Sequence, residues 1–127
     1  MKLSAEQVKL LRETHIAFVA TVNRDGSPQV TPVWIDTDGE AIVFNTARGR
    51  VKCRNLERDP RVSIAVVDAA NPETRTLIAR GTAVLSEEGA LEHIDFLSRK
   101  YGGKPWVPVA GQTRVIVRVL PDRVSEA

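Results

Sequence analysis

The sequence predicts a small, mainly antiparallel β-barrel of about six strands with three short helices. Short apolar runs of strand length recur along the chain, two Asp-Gly turns separate the first three of them, and only three segments have helical spacing. A chain of 127 residues is expected to form one domain, covering residues 1–127. The predicted fold class is therefore mainly β, in an α+β arrangement.

The first element is a helix in LSAEQVKLLRETH. Ser4 and Gln7 have the spacing of a capping box, and Leu3 with Val8 fits a hydrophobic staple across the helix start. Val8 and Leu11 then give the helix a narrow apolar face.

Three strands are expected next, joined by hairpin turns. IAFVATV (16–22) is apolar at both alternating sets of positions, which suits a strand covered on both sides by a helix or a partner. Asp25-Gly26 and Asp38-Gly39 supply the positive φ that tight turns need. With QVTPVWID and AIVFNT as the following strands, the pattern predicts an antiparallel meander.

The second half of the chain alternates helices and strands. A helix after Thr46 should end by Asp59, because the residue before Pro60 is pushed out of helical geometry. RVSIAVVD and RTLIARGTAVLS read as strands, the second with a bulge or bend at Gly81. A helix in EEGALEHIDFLSRKYGG stops at Gly102-Gly103. A proline-bracketed loop, KPWVPVAG, leads to the last strand, QTRVIVRVLPDRV.

The segment TARGRVKCRNLERDP concentrates positive charge near a predicted helix start, where the macrodipole is already positive. With the helix starting near Val51, Arg50 lies in the loop and Lys52 in the first turn. Both could converge on a phosphate bound at the helix N–H groups. The alternative is a solvated helix whose cations pair with Glu57 and Asp59.

Two further segments could contact a flat ligand. Pro32 interrupts a strand, so it must lie at a sheet edge or a bulge, and a bulge would leave backbone groups of Thr31 and Val33 available to a ligand. Trp34 could stack on a flat ring or fill the core. Trp106, between prolines, could serve as a lid, a dimer contact or a core plug.

The remaining composition argues against several functions. The single cysteine, Cys53, excludes an intramolecular disulfide and suits a small buried apolar residue. His15 and His93 have no neighbours at metal-ligand spacing, so no metal site is expected. No catalytic side chain is expected either, because no nucleophile motif, P-loop or dinucleotide glycine pattern is present. Phosphate-binding cations and flat aromatic surfaces without a catalytic side chain suit a phosphorylated cofactor that carries the chemistry itself.

Partners and location follow from charge and hydropathy. The net charge of +2 is too small to predict nucleic-acid binding. No apolar run reaches the roughly 20 residues that span a bilayer, so no membrane association is expected. The N-terminus lacks the apolar core of a signal peptide, and a cytoplasmic protein is expected.

A resemblance extends this interpretation. FVATVNRDGSPQVTPVWIDTDGEAIVFNTARGRVKCRNLERDPRVSIAVVD resembles the first half of the pyridoxamine 5′-phosphate oxidase-like split β-barrel proteins, which bind flavins. The similarity rests on the DG-x-P hairpin, the T-P-V-W strand and R-x-K-x-R-N-L-x-R-D-P-R. It is greatest to the branch that uses the deazaflavin coenzyme F420, and it continues through ARGTAVLS to RVIVRVLPDRV.

The resemblance implies a six-stranded antiparallel split β-barrel with short flanking helices, forming a homodimer with cofactor sites at the subunit interface. Arg50 and Lys52 would hold the cofactor phosphate. The proline-containing strand would line the ring through its backbone, and the end of the third strand would flank the ring and ribityl chain. The implied cofactor-binding residues are Thr31, Pro32, Val33, Asn45, Thr46, Ala47, Arg50 and Lys52.

The function implied is an oxidoreductase that transfers hydride between coenzyme F420 and a small planar unsaturated substrate. The alternatives are an FMN-dependent oxidoreductase of the same fold and a non-enzymatic carrier of flavin, deazaflavin or haem. True pyridoxamine phosphate oxidases carry a C-terminal arginine–histidine motif that grips substrate phosphate. VRVLPDRVSEA lacks it, so vitamin B6 oxidation is not expected.

Overall fold

The protein is described by a computed structural model over residues 2–125. Three helices flank one antiparallel sheet of seven strands, in the order β2-β1-β5-β6-β7-β4-β3. The elements in chain order are α1 (Ala5–Arg12), β1 (Ile16–Val22), β2 (Pro28–Trp34), β3 (Asp36–Thr37), β4 (Ile42–Ala47), α2 (Val51–Arg58), β5 (Arg61–Val67), β6 (Thr76–Ser86), α3 (Ala90–Gly102) and β7 (Arg114–Ser125). The sheet curls so that β2 and β4, which do not pair, come into contact.

The predicted meander is wrong at its second strand. That strand breaks at Ile35 into β2 and β3, which lie at opposite edges of the sheet. Side chains of α3 take over the backbone groups at the break: the Ile35 N–H donates to Tyr101 Oη at 3.0 Å, and Lys100 Nζ donates to the Ile35 carbonyl at 2.7 Å. These bonds replace the ladder bonds that a continuous strand would make, so seven strands form where about six were predicted.

Most of the predicted local features are confirmed. Ser4 caps α1 with both bonds of the capping box, and α2 covers the predicted basic segment, ending at Arg58. Gly26 and Gly39 adopt φ of 88° and 95° in the two turns. The register of β6 against β7 shifts between Arg80 and Gly81, where an added Cβ would lie 2.6 Å from the Leu120 carbonyl oxygen.

The core fills the concave side of the sheet. Strand alternation places one side chain in two inside, and α1 closes one end with Leu10 and Leu11. The largest fully buried side chains include Phe44, Leu56, Ile64, Leu77, Val115 and Val117. β4 is buried along its whole length, because α3 packs against its outer face.

The outer face of β2, β1, β5 and β6 carries an apolar patch that the described part of the chain leaves uncovered, next to polar positions such as Ser63 and Arg80. Pairing aligns Pro32, Phe18, Ala65 and Ile78 in one row across these four strands. Phe18 is 47% exposed, and Val30, beside the row, is 59% exposed. The described part of its own chain therefore covers β1 on one side only, and the predicted second cover stays a prediction. Within residues 2–125, no helix is long and apolar enough to cross a bilayer.

Candidate functional site

A cavity of about 340 Å³ opens between the edge strand β2, the start of α2 and the loop between α3 and β7. Apolar and aromatic side chains form most of its walls, and cations gather at one side. Its lining residues are Ile16, Pro32, Val33, Trp34, Asn45, Arg50, Lys52, Ile94, Leu97, Trp106 and Arg114.

Three cations line this cavity, and we call them the cation cluster: Arg50, Lys52 and Arg114. Arg50 is the N-cap residue of α2, Lys52 lies in its first turn, and Arg114 begins β7. Lys52 is 9% exposed and Arg114 only 6%. None of the three forms an ion pair with a carboxylate of residues 2–125.

The electrostatics of the cation cluster are unfavourable without an anion. Burial, followed by the charges of Arg50 and Arg114, lowers the pKa of Lys52. Burial and the nearby Arg50 lower the pKa of Arg114 to about 10, so its guanidinium stays charged at neutral pH. The N-terminus of α2 adds its positive dipole end and available N–H groups. A bound anion would add an attraction to each cation, and these attractions would offset the burial and the mutual repulsion.

The carboxylates next to the basic segment are already engaged by other cations. Glu57 accepts from Arg48 at 2.5 Å, and Asp59 accepts from Arg61 at 2.7 Å. Among the described residues, neither Glu57 nor Asp59 therefore neutralises Arg50, which is exposed, or Lys52, which is buried. Both residues remain directed to the cavity.

Polar neighbours hold the cluster in place. Lys52 Nζ donates to Thr31 Oγ1 at 2.9 Å, which ties α2 to the edge strand. Arg114 Nε donates to Asn45 Oδ1 at 2.8 Å. The Asn45 amide nitrogen in turn donates to the Ala90 carbonyl at 3.1 Å and lies 3.0 Å from His93 Nδ1.

Two tryptophans provide flat surfaces. Trp34 is half-buried and stacks on Tyr101, with the ring centroids 5.6 Å apart and the planes 12° from parallel. Trp106 forms another wall, with the Arg114 guanidinium 5.0 Å from its ring centroid. Its backbone N–H donates to Asp95 Oδ1 at 2.8 Å, whereas its buried indole N–H has no acceptor within residues 2–125. An orphaned indole donor beside an unneutralised arginine suits a ligand that brings acceptors.

The structure brings most of the predicted site residues together. Pro32, Val33, Asn45, Arg50 and Lys52 line the cavity, and Thr31 contacts it through Lys52. Thr46 and Ala47 do not line it; both are buried within β4. Thr46 Oγ1 has no hydrogen-bond partner among the described residues. Whether these residues bind a cofactor stays a prediction.

Pro32 lies at a sheet edge rather than a bulge, which decides between the two predicted positions. β2 is the terminal strand of the sheet, and its register with β1 runs without interruption from Pro28 to Trp34. The backbone groups on its outer edge therefore have no strand partner in residues 2–125. The expected availability of this backbone to a ligand follows from the edge, with no bulge required.

The sequence did not indicate Arg114, which lines the cavity, or His93, which lies next to the cavity residue Asn45. Arg114 faces Ala47 across β4 and β7, a pairing between positions 67 residues apart along the chain that no local pattern indicates. His93 comes near Asn45 only because α3 packs on β4. The one usable signal was an arginine directly before the apolar run at residues 115–117.

One group of side chains outside the cavity has metal-ligand chemistry. Atoms of Glu13, His15 and Asp68 lie within 4.8 Å of one another. The Arg75 guanidinium already donates to Glu13 at 2.8 Å and to Asp68 at 2.6 Å. The two carboxylates of this group are therefore already paired with a side-chain cation.

Comparisons with known proteins agree with this architecture. Residues 3–126 match the family described as pyridoxamine 5′-phosphate oxidase. An F420H2-dependent biliverdin reductase of Mycobacterium tuberculosis (strain CDC 1551 / Oshkosh) is 26% identical over 125 residues, which cover 97% of this chain and 87% of that protein.

Solved structures give the same result. A structure named F420 reductase is 33% identical with a TM-score of 0.83, covering 92% of this chain and 94% of that one. The conserved hypothetical protein Rv2991 from Mycobacterium tuberculosis is 26% identical with a TM-score of 0.77, covering 98% of this chain and 83% of that one. The chain thus belongs to the pyridoxamine 5′-phosphate oxidase family, in the branch that contains the F420-dependent reductases.

Proposed function

We propose that the protein is an oxidoreductase that transfers hydride between coenzyme F420 and a small planar unsaturated substrate. The observation that carries this proposal is the cation cluster, which has no carboxylate partner within residues 2–125 and lies beside a cavity walled by Trp34 and Trp106. Lys52 and Arg114 are buried, whereas Arg50 is exposed. Buried charges without a partner are costly, so Lys52 and Arg114 favour a ligand of opposite charge that offsets this cost. The names of two similar proteins point to F420 as that ligand.

The residues present fit such a cofactor. Arg50 and Lys52 would hold its phosphate at the N-terminus of α2, where guanidinium, ammonium and helix N–H groups converge. The backbone of Thr31, Pro32 and Val33, on the unpaired edge of β2, would line the ring. The end of β4, Asn45–Ala47, would flank the ring and ribityl chain.

When bound, the deazaflavin supplies the hydride chemistry. The protein contributes positioning and a dry, apolar surface, with the acceptor laid against Trp34 or Trp106. No essential acid–base side chain is proposed; backbone amides or water would stabilise charge that develops on the acceptor.

A second copy of the chain is the proposed partner. The exposed apolar face of β1, β2, β5 and β6 meets the cavity at Ile16, Pro32 and Trp34, so a subunit packed on this face would also close the cavity. We expect the wild-type protein to sediment as a dimer and Phe18→Glu to sediment as a monomer with weakened cofactor binding. A monomeric wild-type protein would contradict the pairing.

The function is tested by titrating the protein with F420 and with FMN side by side and following fluorescence. We expect binding of F420, and at least a hundredfold loss of affinity in the double variant Arg50→Ala, Lys52→Ala, because each cation contributes about 1.5–3 kcal/mol through charge-assisted hydrogen bonds. Arg54→Ala, an exposed cation on the same helix, is the matched control and should bind normally.

Turnover is then measured with F420H2 and planar acceptors, beginning with biliverdin because of the similar reductase. Turnover unaffected by the double variant would overturn the proposal. Preferential binding of FMN would favour the FMN-dependent alternative, and tight binding with no turnover of any acceptor would favour a carrier.

A further inference from the structure

Asn45 connects two residues that share no hydrogen bond among those described, Arg114 in the cavity and His93 behind it. Its amide oxygen accepts from Arg114 Nε at 2.8 Å. Its amide nitrogen lies 3.1 Å from the Ala90 carbonyl oxygen and 3.0 Å from His93 Nδ1. Asn45 is 8% exposed, so solvent offers few replacements for these partners.

The donors and acceptors around Asn45 permit one arrangement only. A guanidinium N–H can only donate, so the amide oxygen must face Arg114. A carbonyl can only accept, so the amide NH₂ must face Ala90. His93 Nδ1 then faces an N–H group and must present a lone pair, which requires a neutral ring with its proton on Nε2.

We infer that Arg114 is a third anion-binding residue of the site and that His93 positions it through the Asn45 amide. This inference rests on the proposed function in taking the cation cluster for an anion site. Arg114 meets the requirements of a ligand-binding residue, since it is buried, lines the cavity and has no carboxylate partner among the described residues. Arg114 donates from Nε to Asn45 and from Nη1 to Gln112 Oε1 at 3.4 Å, which leaves Nη2 without an acceptor among the described residues.

Protonation of His93 would break the arrangement. A proton on Nδ1 would oppose the Asn45 NH₂ with a second donor, and an amide flip would turn donors towards Arg114 and an oxygen towards the Ala90 carbonyl. Burial, together with the Arg114 charge, lowers the pKa of His93, whereas Asp36 opposes this. The charged groups that face His93 are Asp36, held by Lys100 at 3.1 Å, Asp38, held by Arg118 at 2.7 Å, and Arg114.

The test measures sulfate affinity between pH 8 and pH 5, using the NMR shift of the Trp106 indole N–H. Sulfate remains a dianion throughout, so a pH dependence belongs to the protein. We expect affinity to fall about tenfold as His93 titrates, because the loss of Arg114 removes one charge-assisted hydrogen bond. Simple electrostatics predicts the opposite, since an added positive charge would tighten sulfate binding.

Three variants identify the residues responsible. His93→Asn retains an acceptor near the Nδ1 position but cannot titrate, so its sulfate affinity should stay high at every pH. His93→Ala should bind weakly at every pH, and Arg114→Gln should bind about tenfold more weakly than wild type at pH 8. His15→Asn, which changes the other histidine of the chain, should follow the wild-type profile.

Tighter sulfate binding at low pH, a flat wild-type profile, a His93→Asn profile like that of wild type, or unchanged affinity in Arg114→Gln would each overturn the inference. If F420 binds as proposed while the sulfate profile is flat, the inference fails alone. If F420 does not bind while sulfate affinity depends on pH as expected, the proposed function fails, and the positioning of Arg114 by His93 through Asn45 stands.

Discussion

Two lysines of this protein are similarly buried but differ in their surroundings. Lys100, on α3, donates to the carbonyls of Leu11 and Ile35 at 2.9 and 2.7 Å and to Asp36 at 3.1 Å. Lys52, on α2, has one acceptor, Thr31 Oγ1, among the described residues, and it lies near two arginines. Burial lowers the pKa of both lysines, but of the two only Lys100 has a carboxylate partner among the described residues that opposes the shift.

This difference separates a structural cation from a binding cation. Three acceptors saturate the ammonium of Lys100, which joins α1, the β2–β3 break and α3. Lys52 retains hydrogen-bonding capacity and faces like charge, so its contribution to folding is small or negative. The sequence alone does not distinguish the two lysines. Their hydrogen-bond partners in the folded protein do.

The largest expected effect comes from exchanging each lysine for methionine. Lys100→Met should lower the free energy of unfolding by about 3–5 kcal/mol, because it leaves Asp36 as a buried carboxylate without its partner. Lys52→Met should change stability by less than about 1 kcal/mol or raise it, because it relieves repulsion from Arg50 and Arg114. Urea denaturation measures both values, and equal destabilisation would abolish the distinction.

The Tyr101 hydroxyl and the Trp106 indole N–H differ in the same way, and we expect smaller changes in stability from replacing them. Tyr101 Oη accepts from the Ile35 N–H at 3.0 Å and lies 2.6 Å from the His15 carbonyl oxygen, to which it donates. Tyr101→Phe should therefore cost about 1–3 kcal/mol, since both backbone groups lose their partner.

Trp106→Phe removes an indole N–H that has no acceptor within residues 2–125. It should cost less than about 1 kcal/mol in stability, mostly from lost contact with Arg114, while weakening cofactor binding. Thermal unfolding and fluorescence titration on the same samples provide the two readouts. A Trp106→Phe protein that is destabilised but binds normally would identify Trp106 as a core residue.

The parts of this molecule that local chemistry determines were predictable from sequence. The capping box of α1, the two Asp-Gly turns, the limits of α2 and the bend at Gly81 each depend on residues close together in the chain. The R-x-K spacing at the start of α2 was enough to single out Arg50 and Lys52. The side chain of Lys52 then reaches Thr31, 21 residues earlier, as only the folded sheet allows.

The failures concern contacts between distant segments. The break at Ile35 depends on Tyr101 and Lys100, more than 60 residues away, so the alternating apolar pattern of QVTPVWID could not indicate it. Arg114 acquires its place from strand pairing with β4, and His93 from the packing of α3. Neither position has a distinctive neighbour in the sequence.

The smallest expected change in stability concerns Arg75, a cation that is paired with Glu13 and Asp68. Hydrogen bonds from Arg75, then His15, lower the pKa of Glu13 from 4.5 to about 2. Because the folded pKa lies below the ordinary one, this contribution to stability is complete above about pH 4.5 and is lost as pH falls towards 2. The pKa of Asp68, which Arg75 also contacts, is lowered as well.

Arg75→Gln should therefore flatten the dependence of the urea midpoint on pH between 5 and 2.5, with less effect in high salt because these groups lie near solvent. Lys52→Met should retain the wild-type slope, since no carboxylate of the described residues titrates against Lys52. A slope that changes in Lys52→Met but not in Arg75→Gln would mean that the cation cluster has an acidic partner after all. In that case the cavity would lose the unneutralised charge on which an anion site depends.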